Sequence, residues 1–113
     1  MPMLFALALL QAAAPAGSSA PLALTCTSAD AKPPVTFAFQ IDLPKESFTL
    51  SRNGGAPQTG NAQSFGNRVV LELPSTNPDA IPMFFLNTDA KTYKEVTRAG
   101  ASAMTPVTDG TCK

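Results

Sequence analysis

The segment Val35–Leu43, VTFAFQIDL, constrains the chain more than any other. Val35, Phe37, Phe39, Ile41 and Leu43 alternate with Thr36, Ala38, Gln40 and Asp42. A period of two puts the apolar side chains on one face of a β-strand and the smaller or polar ones on the other. Such a strand needs neighbours, because one strand cannot cover its own apolar face.

The rest of the sequence supplies them. Pro44-Lys45-Glu46 turns the chain, and Phe48 and Leu50 share one face of SFTLSR. Asn53-Gly54-Gly55 is a turn signal, since Asn and Gly accept positive φ. Ala56–Ser64 is polar and holds Pro57 and Gly60, so it is expected to form a short edge strand or a loop. In RVVLELP, Val69, Leu71 and Leu73 point inward, with Val70 and Glu72 outward. STNPDAIP is a loop, and MFFLN is a strand in which Phe84 and Phe85 place one ring on each face.

TDAKTYKEVTRAG admits a helix from Thr88 or Asp89 to Gly100, or a hairpin that turns at Thr88–Lys91 and returns through Thr92–Thr97. Tyr93, Val96 and the threonines favour the hairpin. ASAMTP is expected to be a loop, and VTDGTCK a short final strand. The expectation is an all-β fold: a small antiparallel meander of five to seven strands, curled into a partial barrel or a sandwich. The single β domain runs from Leu22 to Lys113.

The first residues form a separate object. MPMLFALALLQAAAPAGSSA has an apolar run, Leu4–Leu10, followed by small residues, and Ala14-Pro15-Ala16 fits a signal-peptidase site. The run is too short to span a bilayer, which needs ~20 apolar residues. Residues 1–16 are therefore expected to be a cleavable signal peptide, with cleavage as late as residue 20, although Met1-Pro2-Met3 carries no Lys or Arg. A lipoprotein reading is poor, because Thr25 stands just before Cys26 where a small residue is required. The location expected is periplasmic or secreted, with no stable membrane insertion after cleavage.

Export gives the cysteines a meaning. The chain has 2 Cys, Cys26 and Cys112. Two cysteines in an exported chain usually pair, which here would clasp the two ends of the mature domain. A metal role would need further Cys or His ligands, and the chain has no His.

Composition narrows function further. Eight basic residues balance eight acidic ones, and the basic residues are scattered. No field steers the chain to nucleic acid. Without His, a His-based nucleophilic triad is excluded. Ser47 with Lys45 makes a weak dyad, and Asp42 with Glu72 is a carboxylate pair that would meet on the polar face. Asn87, Asp89 and Glu95 do not follow a calcium-loop pattern, and Asn77 and Asp79 are expected to be turn residues. NGG is followed by Ala-Pro with no helix, so it is no phosphate loop. No catalytic residue, cofactor or metal site is expected.

Cys26, Ile41-Asp42, Leu86-Asn87-Thr88-Asp89 and Gly110-Thr111-Cys112 fall in places that resemble a loose class of small exported bacterial β-proteins. Their pattern has an arginine where Asn87 stands, and a Thr-Gly that is missing here. The chain is also similar in size and clasp to the lysozyme-inhibitor barrels of bacterial periplasms, whose Ser-Gly-x-x-Tyr motif is absent around Ser64. The resemblance implies fold and location, and no activity. The function expected is a non-catalytic binding or inhibitory module of the envelope. Its partner would be an envelope protein, met at the outer face or an open barrel end near Phe85, with Lys91, Lys94 and Arg98 as a basic rim. The alternative is a structural accessory protein with no small ligand, and an enzyme ranks third.

Overall fold

The computed structural model describes residues 21–101 and 103–113. They are all β. The strands are β1 Leu22–Ser28, β2 Thr36–Asp42, β3 Ser47–Arg52, β4 Gln58–Phe65, β5 Arg68–Glu72, β6 Ile81–Asn87, β7 Thr92–Ala99 and β8 Ala103–Cys112. Each strand pairs antiparallel with the next, and β8 returns to β1, closing a barrel. The expected leader, residues 1–16 or up to 20, lies outside the described residues.

The alternating segment behaves as its pattern requires. Phe37, Phe39 and Ile41 are buried, while Ala38 and Gln40 are exposed. The turn at Asn53-Gly54 has positive φ at both residues, 52° and 73°. The ambiguous stretch after Asn87 is a hairpin: β6 and β7 pair from Ile81↔Arg98 to Asn87↔Thr92.

Three expectations change. The meander has eight strands rather than five to seven, and it closes instead of remaining a partial barrel or a sandwich. Gln58–Phe65 is a strand paired on both sides, Phe48↔Gly60 with β3 and Ala62↔Leu71 with β5. Its inward positions are the small residues Gly60 and Ala62, so no apolar alternation marks it. Gly60 makes room for the Phe48 ring, and a Cβ there would also collide with the Glu72 carbonyl oxygen. The loop expected at ASAMTP belongs to β8, which pairs with β7 as Arg98↔Met104 and Val96↔Pro106. Pro106 is tolerated because β1 pairs only with Gly110–Cys112, leaving this part of β8 as an edge.

That short β1–β8 seam explains the position of Cys112. Cys26 and Cys112 are directly opposite, with Cα atoms 4.0 Å apart, and are bonded through a disulfide. Thr25 and Lys113 exchange two backbone hydrogen bonds beside it, both 2.9 Å. The bridge spans a sequence separation of 86 and pins the seam that closes the barrel. At Gly110 a Cβ would collide with the Thr27 carbonyl oxygen, so glycine allows β8 to approach β1.

An eight-stranded barrel has an interior just wide enough for side chains to fill. Here Phe37, Phe39, Phe48, Phe84, Ile41, Leu50, Leu71 and Leu86 fill it. The Phe84 ring meets Phe37 and Phe39 edge-on, each with centroids 5.2 Å apart. Such edge-to-face pairs add about 0.5–1.5 kcal/mol each to simple burial.

Candidate functional site

Alternation and register decide which side chains reach the outside. Phe84 and Leu86 of β6 face the interior, so Met83, Phe85 and Asn87 face outward. Cross-strand pairing then sets outward rows. One row is Gln63, Val70, Phe85, Lys94 and Asp109. The row beside it is Phe65, Arg68, Asn87, Thr92 and Thr111. On the other side lie Asn61, Glu72, Met83, Val96 and Pro106.

These rows make an open groove of about 790 Å³ on the outer wall of β5–β8, with Phe85 and Val70 at its floor and Phe65, Arg68, Lys94 and Asp109 around it. Phe85 and Val70 are half-buried, whereas Phe65 is 61% exposed. Met83 and Val96 are buried yet lie outside the interior cluster, because they pack on the outer side of the sheet. Met104 and Val107 extend the apolar surface along β8, at 48% and 52% exposure.

Of the residues expected at the patch, Phe85 and Lys94 are direct cross-strand partners. Lys91 sits in the β6–β7 turn with a positive φ of 56° and does not line the groove. Val70, Arg68, Phe65, Met83 and Val96 were not read as part of it. The available signal was the doublet Val69-Val70, which, like Phe84-Phe85, sends one apolar side chain to each face.

The interior carries its own polar chain at one barrel end. Tyr93 donates to Thr108 Oγ1 at 3.0 Å, and Thr108 donates to Glu95 Oε1 at 2.7 Å. The Arg52 guanidinium donates to Glu95 Oε2 at 2.9 Å and stacks over the Phe37 ring at 4.7 Å. Glu95 is buried, and these bonds satisfy the carboxylate. Burial pushes the Tyr93 phenol above its ordinary 10.0; its bond to Thr108 opposes the rise and the Glu95 charge adds to it.

The catalytic and metal combinations are dispersed. Asp42 and Glu72 share an outward row but lie on β2 and β5, separated by Ser47 and Asn61. Three strand spacings, about 14 Å, keep the two carboxylates apart. Glu72 instead faces Arg98, with N···O at 3.7 Å. The Asn87 side chain accepts from the Asp89 and Ala90 amides, and that of Asn77 accepts from the Asp79 amide. Both asparagines cap turns, which for Asn77 is the role expected. Glu95, the third member of the calcium-like set, is inside the barrel. Among the described residues no group of three or more metal-ligating side chains converges.

Comparison with known protein families, curated proteins and solved structures finds no match to this chain.

Proposed function

We propose that the protein is an exported, non-catalytic binding module of a bacterial envelope that works through the outer wall of β5–β8 around Phe85. The observation that carries this reading is the apolar outer wall. Monomeric soluble proteins rarely leave large contiguous apolar patches outside, and those that do use them for partners. Here Phe65, Val70 and Phe85 line one groove, and Met104 and Val107 of β8 are exposed as well. The side-chain-filled interior argues for a ligand bound on the wall rather than in the lumen.

Periplasmic or secreted location is part of the proposal. Its support is the buried Cys26–Cys112 disulfide, which suits an oxidising compartment, together with the apolar leader sequence. Lack of His in the sequence supports a non-catalytic role.

The filled interior also supports a second reading, an accessory envelope protein with no small ligand. An affinity pull-down from envelope extract with the oxidised protein separates the two. Recovery of one stoichiometric partner, lost on Phe85→Ser and kept on Gln40→Ala of the opposite wall, is the expected result. Equal recovery by both variants would rule out the Phe85 wall, and no recovery would favour the accessory role.

A further inference from the structure

The charges around Phe85 specify the partner more narrowly. Along the outer wall, Phe85 has Val70 on one side and Lys94 on the other, and Arg68 lies diagonally across β5. Among the described residues neither Arg68 nor Lys94 has a carboxylate within ion-pair distance, whereas Glu72, diagonal to Phe85 on β5, is engaged by Arg98 at 3.7 Å. Asp109 faces Lys94 in register on β8 but forms no ion pair with it. It stands two strands from Phe85, about 10 Å away. The groove around Phe85 therefore holds two cations, Arg68 and Lys94, against one carboxylate, Asp109, none of them in an ion pair among the described residues, which leaves the groove cationic in a chain whose overall charge is zero.

Shape restricts the occupant further. The groove is open and crosses four strands, a width of about 14 Å from β5 to β8. An open face of this kind suits a segment laid across it more than an enclosed small molecule.

Building on the binding reading above, we propose that this groove takes a protein segment in which apolar side chains alternate with carboxylates. The apolar side chains would cover Phe85 and Val70, and the carboxylates would meet Arg68 and Lys94. Charge pairs at the edge of an apolar contact select the partner and set its salt dependence, while the apolar anchor supplies most of the affinity.

The test uses the oxidised full chain, labelled with ¹⁵N, and three ten-residue peptides. The first alternates Phe or Leu with Glu. The second replaces Glu by Lys, and the third replaces the apolar residues of the first by Ser. Only the first is expected to shift the amide signals of Val70, Phe85 and Lys94, and rising salt should weaken it. The double variant Arg68→Glu/Lys94→Glu should lose about tenfold in affinity for it, for two partly exposed pairs, and gain affinity for the Lys peptide. Both positions are exposed, so the fold should tolerate the change; if it does not, the salt dependence and the peptide ranking of the wild-type chain decide alone.

Equal binding of the Glu and Lys peptides would overturn the proposal. So would shifts from laurate in place of the Glu peptide, which would mean a lipid-type ligand, or concentration-dependent shifts without peptide, which would mean a second copy of this chain. If Phe85→Ser weakens binding while Arg68→Glu/Lys94→Glu does not, the wall remains the binding surface and the acidic partner is wrong. Insensitivity to both removes both readings.

Discussion

On β2–β4 the outward positions are Thr36, Ala38, Gln40, Asp42, Ser47, Thr49, Ser51, Thr59, Asn61 and Gln63, with Phe65 as the one large apolar residue at the end of β4 beside β5. On β5–β8 they include Val70, Ile81, Met83, Phe85, Val96 and Met104. Both walls share one interior, and their inward faces are alike: Phe37, Phe39 and Phe48 from one, Phe84, Leu86 and Tyr93 from the other. Core packing therefore accounts for the inward residues of both walls and for the outward residues of neither. Hydroxyl and amide side chains keep a sheet face wet and unattractive to other proteins, whereas an apolar outer face exposes surface that gains by being covered. The difference separates a wall that is polar outside from one that is largely apolar outside, which is what the proposed binding role rests on.

The largest expected effect tests whether the two walls are one cooperative unit. β1 links them, pairing fully with β2 but only briefly with β8, and the disulfide closes a loop with a sequence separation of 86. In the chain-entropy model such a loop is worth about 4–5 kcal/mol. Cys112→Ser should lower the urea-unfolding free energy by an amount of that order. A change below about 1 kcal/mol would mean that strand pairing alone holds the seam.

Next comes the contrast within Phe84-Phe85. Phe84 is fully buried between Phe37 and Phe39, so Phe84→Ala should destabilise by about 3–5 kcal/mol. Phe85→Ser, on the half-buried outer side, should cost about 1 kcal/mol or less and leave the circular dichroism of a β-protein intact. Similar losses from both would make the outer wall part of the core and erase the distinction.

Arg52 of β3 reaches across the barrel end to Glu95 of β7, joining the two walls. Arg52→Ala leaves a buried carboxylate with only Thr108 as a bonded partner. We expect a loss of roughly 2 kcal/mol, moderated because the arginine side chain is 41% exposed. Thermal unfolding of Arg52→Ala alongside Arg52→Ala/Glu95→Gln checks the cause. The second change should restore part of the loss by removing the unpaired charge.

The smallest effect is alkaline. The folded Tyr93 phenol titrates above its ordinary 10.0, mainly through burial. Above that pH the unfolded chain releases the phenolic proton while the folded chain still holds it. The stabilisation is thus complete below about pH 10 and is lost as pH rises toward the folded value. Unfolding curves between pH 8 and 11 should fall less steeply for Tyr93→Phe than for the parent protein. Parallel curves would mean that other groups govern the alkaline loss.

Much of the fold was legible because it depends on short range. Alternation at Phe37–Ile41 identifies a strand and its buried face, since the side-chain period of two is a local property. The β6–β7 hairpin follows from β-branched residues around a polar turn. The doublets Val69-Val70 and Phe84-Phe85 announced that something apolar must face outward. With two cysteines in the chain, their pairing needed only an oxidising compartment as a premise.

Closure was decided elsewhere. β4 has Gly60 and Ala62 where apolar residues would have marked it, and it is a strand because β3 and β5 pair with it from both sides. The Ala103–Pro106 part of β8 is extended because β7 gives it a partner, not because its own residues demand it. Register likewise keeps Asp42 and Glu72 apart and brings Arg52 to Glu95, residues 43 positions apart in the chain. It also gathers Val70, Phe85 and Lys94, from three strands, into one row. The sequence by itself determined which residues alternate and where the chain turns, because those preferences act over a few residues. Only the tertiary structure decided which strands became neighbours and therefore which outward residues share a surface, because hydrogen-bond register between strands is a property of the closed barrel as a whole.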